Sequence, residues 1–181
     1  RVTDLMQGPV YCIFTDETDK DERLLAFFNY DEIFGTVLNR FVVQAVAGHR
    51  LTVYGKGGQT RGFLNIKDTL NCVRLSLEKP ADRGELRIFN QFTETFSVND
   101  LAVKVKEAGN KIGINVDIQH VENPRLEAEA HYYNPCHTGL LELGLSPHYL
   151  SEDVLIEMME HVIKYKDQIK HEQICRTVTW R

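Results

Sequence analysis

The sequence predicts an α/β fold, and three observations carry that reading. Short β-branched or aromatic runs such as Leu51–Tyr54 and Ile114–His120 alternate with segments whose apolar residues recur at helical spacing. Glycine or proline closes most of the helical segments, as at Gly48, Pro80, Gly109 and Gly144. Strands interleaved with helices, rather than grouped apart from them, belong to α/β architectures. A length of 181 residues allows one domain with a substantial core, or part of a larger one. The short strands and helices after about residue 90 are expected to form a smaller α/β lobe.

In chain order, Val2–Leu5 reads as a strand, broken by Met6-Gln7-Gly8-Pro9 where an α/β sheet presents its carboxyl edge. An acidic segment over 15–22 follows, and Ile33, Val37, Leu38, Phe41, Val42 and Ala45 then form the apolar stripe of a helix stopped by Gly48. The Leu51 strand leads through a glycine loop to a second strand at 62–66. Asp68-Thr69 is read as the cap of a helix through Leu70, Val73, Leu75 and Leu77. Glu85–Phe89 reads as a buried strand. Phe96-Ser97-Val98-Asn99-Asp100 opens a helix through Leu101, Val105 and Ala108 that Gly109 is expected to stop. Ile114, Val116, Ile118 and His120 alternate as a strand, and 121–134 is a surface loop. Two helices close the chain, one over 137–143 ended by Gly144 and one from Ser151-Glu152-Asp153 through Leu155, Met158, Met159, Val162 and Ile163, where both methionines are expected in the core.

Composition narrows the function classes. Hydrophobic content of 43% and charged content of 26% are those of a globular protein, which excludes disordered and fibrous classes. No apolar run reaches the length of a membrane span. A net charge of -5 with mixed signs argues against a nucleic-acid binder, though not against an anionic small ligand. Cys12, Cys72, Cys136 and Cys175 lie far apart without zinc spacing, so no metal site is expected, and reduced, packed thiols fit a reducing compartment.

The most informative stretch is Leu51-Thr52-Val53-Tyr54-Gly55-Lys56-Gly57-Gly58-Gln59-Thr60-Arg61-Gly62. Glycines let main-chain N–H groups approach phosphate oxygens closely, and a guanidinium offers planar paired donors, so the loop and Arg61 suit a diphosphate. A glycine-rich hairpin with a solvated arginine has the same sequence. On the residues alone both readings stay open. No G-x-G-x-x-G follows an early strand, so the usual cradle of a dinucleotide pyrophosphate is missing from the sequence.

Several runs in order, Asp4-Leu5-x-Gln7-Gly8, Phe34-Gly35-Thr36-x-Leu38-Asn39-Arg40-Phe41, Leu51 to Gly62, Asn90-Gln91-Phe92-Thr93-Glu94, Asn123-Pro124-Arg125-x-Glu127 and His131-Tyr132-Tyr133-Asn134, resemble the UDP-sulfoquinovose synthase family. This is the sulfolipid branch of the extended short-chain dehydrogenase/reductases, the NAD-dependent epimerase/dehydratases. The likeness spans essentially the whole chain and matches the carboxyl-terminal half. It implies the corresponding part of a Rossmann-like fold, with residues from about 91 to 181 mostly in the substrate-binding lobe and the amino-terminal nucleotide-binding half absent. The reaction implied is oxidation of UDP-glucose at C4 by bound NAD, loss of water, addition of sulfite at C6 and return of the hydride. The catalytic Thr and Tyr-x-x-x-Lys of the family lie upstream, so this chain alone is not expected to turn over.

The resemblance also assigns residues. Arg61 and Arg125 match the arginines that clamp the UDP diphosphate, against the plainer reading of Arg125 as an ion-pair partner of Glu127 or Glu129. Thr52 and Tyr54 match the strand that meets the uracil, with plain packing as the alternative, and Gln7 matches a position beside the nicotinamide, with a strand-end amide bonded to local backbone as the alternative. Gln59 precedes Arg61 by two residues, so it shares the face of Arg61 if the segment is extended and is expected to contact the sugar nucleotide. Thr36 and Asn39, about a helical turn apart, are expected to meet phosphate or sugar hydroxyls, with capping as the alternative. Met6 stands where many members have Asn and lacks that amide's donors. The implied partners are UDP-glucose, sulfite, a sulfur-donor protein and a second subunit in a homodimer. The implied compartment is the chloroplast stroma in plants and algae or the cytoplasm in cyanobacteria. Another UDP-hexose epimerase or dehydratase, or a non-catalytic nucleotide-sugar binding module, would share much of this pattern.

Overall fold

A computed structural model describes residues 36–123 and 138–174. Helix α1 (Val37–Ala47) carries seven consecutive buried residues from Arg40 to Val46, so it lies inside the molecule with neighbours on nearly every side. Gly48 ends it with φ 77°, a left-handed conformation that glycine adopts without steric cost. Strand β1 (Leu51–Tyr54) follows and pairs in parallel with β4 (Ile118–Val121), from Leu51 opposite Ile118 to Tyr54 opposite Val121. Everything between them is the crossover that a parallel pair requires.

That crossover holds β2 (Thr60–Phe63), α2 (Ile66–Glu78), β3 (Glu94–Ser97) and α3 (Val98–Lys111). Strands β2 and β3 form a separate antiparallel pair, Thr60 opposite Ser97 and Phe63 opposite Glu94. Beyond the crossover, the described residues hold α4 (Gly139–Leu143), α5 (Glu152–Lys164), a 3₁₀ turn (Lys166–Gln168) and the short α6 (His171–Ile174). Helices α1, α3 and α5 pack on one another, α1 and α3 also pack on β1, and Phe41, Val43, Leu51, Val53, Leu101, Val105, Ala108 and Met159 are fully shielded from water there. Each large side chain of this kind contributes about 1.5–3 kcal/mol. A second cluster of Cys72, Leu75, Leu140, Leu143 and Leu145 lies between α2 and α4. Burial, with Asp68 adding to it, pushes the Cys72 thiol above its ordinary range, so it packs as the sequence suggests.

Five sequence expectations need correction. The strand expected at 62–66 is Thr60–Phe63, the residues that pair with β3, and Ile66 already opens α2. The cap of α2 is Asn65, whose side chain accepts from the Lys67 N–H, and Asp68 sits one turn inside and fully buried. Glu85–Phe89 is no strand: Leu86 and Ile88 are 82% and 81% exposed, and among the described residues no strand pairs with the segment. A β-type sequence needs a neighbour for its ladder, and here the backbone instead follows a turn at Gly84 (φ 86°) with Glu85 paired to Arg87 at 2.7 Å. Gly109 does not stop α3; it lies inside the helix, where a Cβ would come 2.7 Å from Val116 Cγ2. The 114–120 strand is shorter than its alternation suggests, since only Ile118–Val121 finds a partner.

Ser97 and Asp100 do form the capping box of α3, and hydrogen bonds from the Ser97 hydroxyl and backbone hold the Asp100 carboxyl below the usual range. Ser151 caps α5 through the Val154 N–H, and Gly144 ends α4 with φ 110°. Both strand pairs and the α1, α3, α5 packing join residues on either side of residue 90.

Candidate functional site

The two parallel strands end side by side, and the glycine loop leaves from that shared edge. The Gly55 N–H donates to Val121 O at 2.9 Å, and the Gly55 carbonyl lies 2.9 Å from His120 Nδ1. The next carbonyls are also engaged: Lys56 O accepts from Asn99 Nδ2 at 2.7 Å, Gly57 O from Asn99 N at 3.0 Å, and Gln59 O from Val98 N at 3.2 Å. The first turn of α3 therefore holds the loop by its carbonyl side. The hydrogen bonds of Gly57 and Gly58 are made through their carbonyls. Gly55 and Gly57 have φ of 63° and 72°, and a Cβ on Gly57 would fall 2.6 Å from Val53 Cγ1. Glycine is thus required at Gly57 on two grounds.

Arg61 follows on β2 with an exposed side chain that donates to the neighbouring Thr60 carbonyl at 2.9 Å. Gln59, just ahead of the strand, has the opposite surroundings. It is 8% exposed, and its Oε1 is buried with no hydrogen-bond partner. The shared face expected for Gln59 and Arg61 is therefore not a shared exposure. Gly62 lets Phe92 close over the strand, since a Cβ there would be 2.5 Å from the ring.

Thr52 and Tyr54 are tied to α1. Gln44, fully buried, donates from Nε2 to Thr52 Oγ1 at 2.9 Å and accepts from Thr52 N at 3.1 Å through Oε1. Arg40 NH2 donates to Thr52 O at 2.7 Å, and its guanidinium stands 4.7 Å from the Tyr54 ring centre. Only 5% of Arg40 is exposed, and its Nε has no partner. A buried guanidinium stacked on an aromatic face, with a donor to spare, is suited to an added acceptor. Thr36 and Asn39 stand half-buried at the start of the same helix; Thr36 takes the cap position without a side-chain capping bond. Gln7 and Arg125 lie outside the described residues.

The structure thus brings Thr52 and Tyr54 onto the first turns of α1, and Gln59 and Arg61 beside the loop clamped by α3. Arg40, Gln44 and Asn99 complete these arrangements. A signal for the first two was present: they are polar residues four apart in a helix whose other polar residue is Asn39 in the first turn, which marks one buried polar stripe. Asn99 gave no signal of its own, because its partner lies across the fold. Among the described residues no group of three or more His, Cys, Asp or Glu is gathered for a metal, and no helix is long and apolar enough to cross a membrane.

No family model matches the sequence. Comparison with characterised proteins is more telling. The chain is 55% identical over 181 residues to the chloroplastic UDP-sulfoquinovose synthase of Spinacia oleracea, covering 100% of the chain and 38% of that protein. It is 48% identical over 184 aligned residues to the UDP-sulfoquinovose synthase of Sulfolobus acidocaldarius, covering 99% of the chain and 46% of that protein. The chain therefore spans less than half the length of these relatives. A crystal structure of UDP-glucuronic acid 4-epimerase from Bacillus cereus, in complex with a fluorinated UDP-glucuronic acid and NAD, shares the fold. Its TM-score is 0.55 at 22% identity, covering 72% of this chain and 40% of that one.

Proposed function

We infer that this chain, a member of the UDP-sulfoquinovose synthase family by sequence, carries the UDP-sugar-binding half of an NAD-dependent enzyme that converts UDP-glucose and sulfite to UDP-sulfoquinovose. The observation that carries the reading is the shared carboxyl edge of β1 and β4. One strand leads into the glycine loop and Arg61, and Gly55 is bonded to Val121 at the end of the other at 2.9 Å; Arg125 follows Val121 by four residues in the sequence. Two guanidiniums at one glycine loop suit two linked phosphates.

The roles follow from the surroundings. Asn99 and His120 hold the loop so that the Gly57 and Gly58 N–H groups can meet phosphate oxygens. Arg61 and Arg125 clamp the diphosphate, and the buried Gln59 amide supplies an oxygen for a sugar or ribose hydroxyl. Arg40 and Gln44 fix β1, so that the uracil meets a rigid edge at Thr52 and Tyr54. Thr36 and Asn39 face sugar hydroxyls from the first turn of α1. NAD would supply hydride exchange at the sugar. The loop at 55–58 joins two strands rather than a strand to a helix, which is not the cradle of a dinucleotide pyrophosphate. We therefore assign NAD, apart from a contact at Gln7, to the length of such proteins that this chain does not span. Delivery of sulfite by a sulfur-donor protein, a homodimer, and the chloroplast stroma or a cyanobacterial cytoplasm belong to the same reading.

The test is product analysis with the full-length protein. UDP-glucose, sulfite and NAD should give a sulfonated sugar nucleotide by mass spectrometry; UDP-galactose as the product would make it an epimerase instead. Arg61→Ala or Arg125→Ala should weaken UDP-glucose by about 1.5–3 kcal/mol, the range for hydrogen bonds to charged groups. Unchanged calorimetric affinity in both variants would remove the diphosphate assignment.

A further inference from the structure

We infer that the cavity between α2 and the 144–148 segment binds a small inorganic oxyanion of the phosphate and sulfate class. The cavity measures about 210 Å³ and is lined by Asn71, Arg74 and Leu75 on one side and by Gly144, Ser146 and His148 on the other. Drug-sized ligands and cofactors occupy pockets of about 300–1,000 Å³, so this one suits a compact ion with a few waters.

The lining has one sign. It offers a guanidinium, an imidazole, an amide and a hydroxyl, and no carboxylate lines it. Lys79 adds a second fixed positive charge nearby. Its Nζ donates to Leu143 O at 2.7 Å and stands 3.7 Å from the point where Gly144 would carry a Cβ. Arg74 gives Nη1 to Glu78 at 2.8 Å in an exposed pair, and its other guanidinium nitrogens have no partner among the described residues. A surface pair of that kind is worth only about 0.2–1 kcal/mol, whereas the free part of the fork can engage two oxygens of one anion.

His148 is held in place for such a ligand. The fully buried Asp68 carboxylate accepts from its backbone N–H and from Nδ1, both at 2.6 Å, so one group fixes the main chain and the ring together. Nδ1 carries the proton given to Asp68, which leaves Nε2 for the cavity, on a side chain that is half-exposed and has no other partner among the described residues. With a proton taken from solvent, Nε2 donates to the anion while Asp68 balances the ring's charge. The facing wall is rigid too: the Gly144 and Leu145 N–H groups donate to Leu141 O and Leu140 O at 2.9 Å.

The experiment is thermal unfolding of the full-length protein, with inorganic phosphate titrated against chloride at constant ionic strength and UDP-glucose present throughout to fill the glycine loop. The wild type should gain stability with a saturable dependence on phosphate. Arg74→Gln and His148→Gln should each weaken phosphate by about tenfold or more, the loss expected for a hydrogen bond to a charged group. Arg61→Ala should keep the phosphate response, which separates this cavity from the diphosphate assignment. No phosphate-dependent shift in the wild type beyond that of chloride, an undiminished shift in Arg74→Gln or His148→Gln, or loss of the shift in Arg61→Ala would overturn the site. Arg74 is exposed, so its variant reads the site even if His148→Gln is less stable.

Discussion

The core around α1 and the cluster around α2 use the same helical period and finish very differently. Around α1 every apolar stripe meets another: Phe41, Val105 and Met159 come from three helices and are all fully buried. Helix α2 is apolar on two sides and covered on one. Cys72 and Leu75 face α4, while Leu70, Val73 and Leu77, one turn apart along the other side, stay at the surface, Leu77 at 77% exposure. Leu86 and Ile88 extend the same exposed character beyond the helix. Periodicity shows that a helix has an apolar face; it does not show how many faces will find cover.

The sharpest way to test this contrast is truncation in each region. Phe41→Ala should cost about 3–5 kcal/mol by chemical denaturation, whereas Leu77→Ala should stay within about 0.5 kcal/mol. Similar losses would show that α2 is covered in solution. The α2 region has one strong tie of its own. The buried Asp68 carboxylate accepts from both His148 N and Nδ1 at 2.6 Å, and Glu94 accepts from Leu150 N at 2.6 Å, so carboxylates pin the 145–150 connector at two points. Asp68→Ala should cost about 2–3 kcal/mol and expose the His148 amide to hydrogen exchange. Protection that persists would show the connector to be held by its apolar contacts.

Gly57→Ala tests the loop against both regions. It should cost about 1–3 kcal/mol from the positive φ and the contact with Val53, and should weaken UDP-glucose binding in the full-length protein. Lost stability with intact affinity would separate the loop from the ligand. A smaller loss is expected at the α3 cap. Asp100 titrates below the usual range in the folded chain, so its stabilisation is present above the ordinary carboxylate range and fades as pH falls through its lowered value. Asp100→Asn should cost about 1 kcal/mol near neutrality and flatten the acid limb of the stability curve.

Much of the fold was legible because its signals are local. Gly48 and Gly144 in left-handed turns, Ser97 and Ser151 as caps, and the β1 strand all rest on a few adjacent residues. Glu85–Phe89 failed because strand formation depends on a partner the segment itself does not specify. Gly109 failed because the same residue serves a helix end or a close contact, and only the position of Val116 decides between them. The candidate site divides the same way. The glycine loop and Arg61 stood out as a run, but the grip of Asn99 and the stacking of Arg40 on Tyr54 depend on distant partners.

The parallel pairing of β1 with β4 also bears on how the chain folds. Its partners are separated by the whole crossover, so closing it costs more chain entropy than forming the helices or caps it encloses. The capping box of α3 and the α2 helix can assemble from neighbouring residues, while the edge that presents the glycine loop must await the return of β4. The rim that carries the glycine loop is thus among the last parts of this lobe to take shape, and a ligand that grips it would slow unfolding more than it speeds folding.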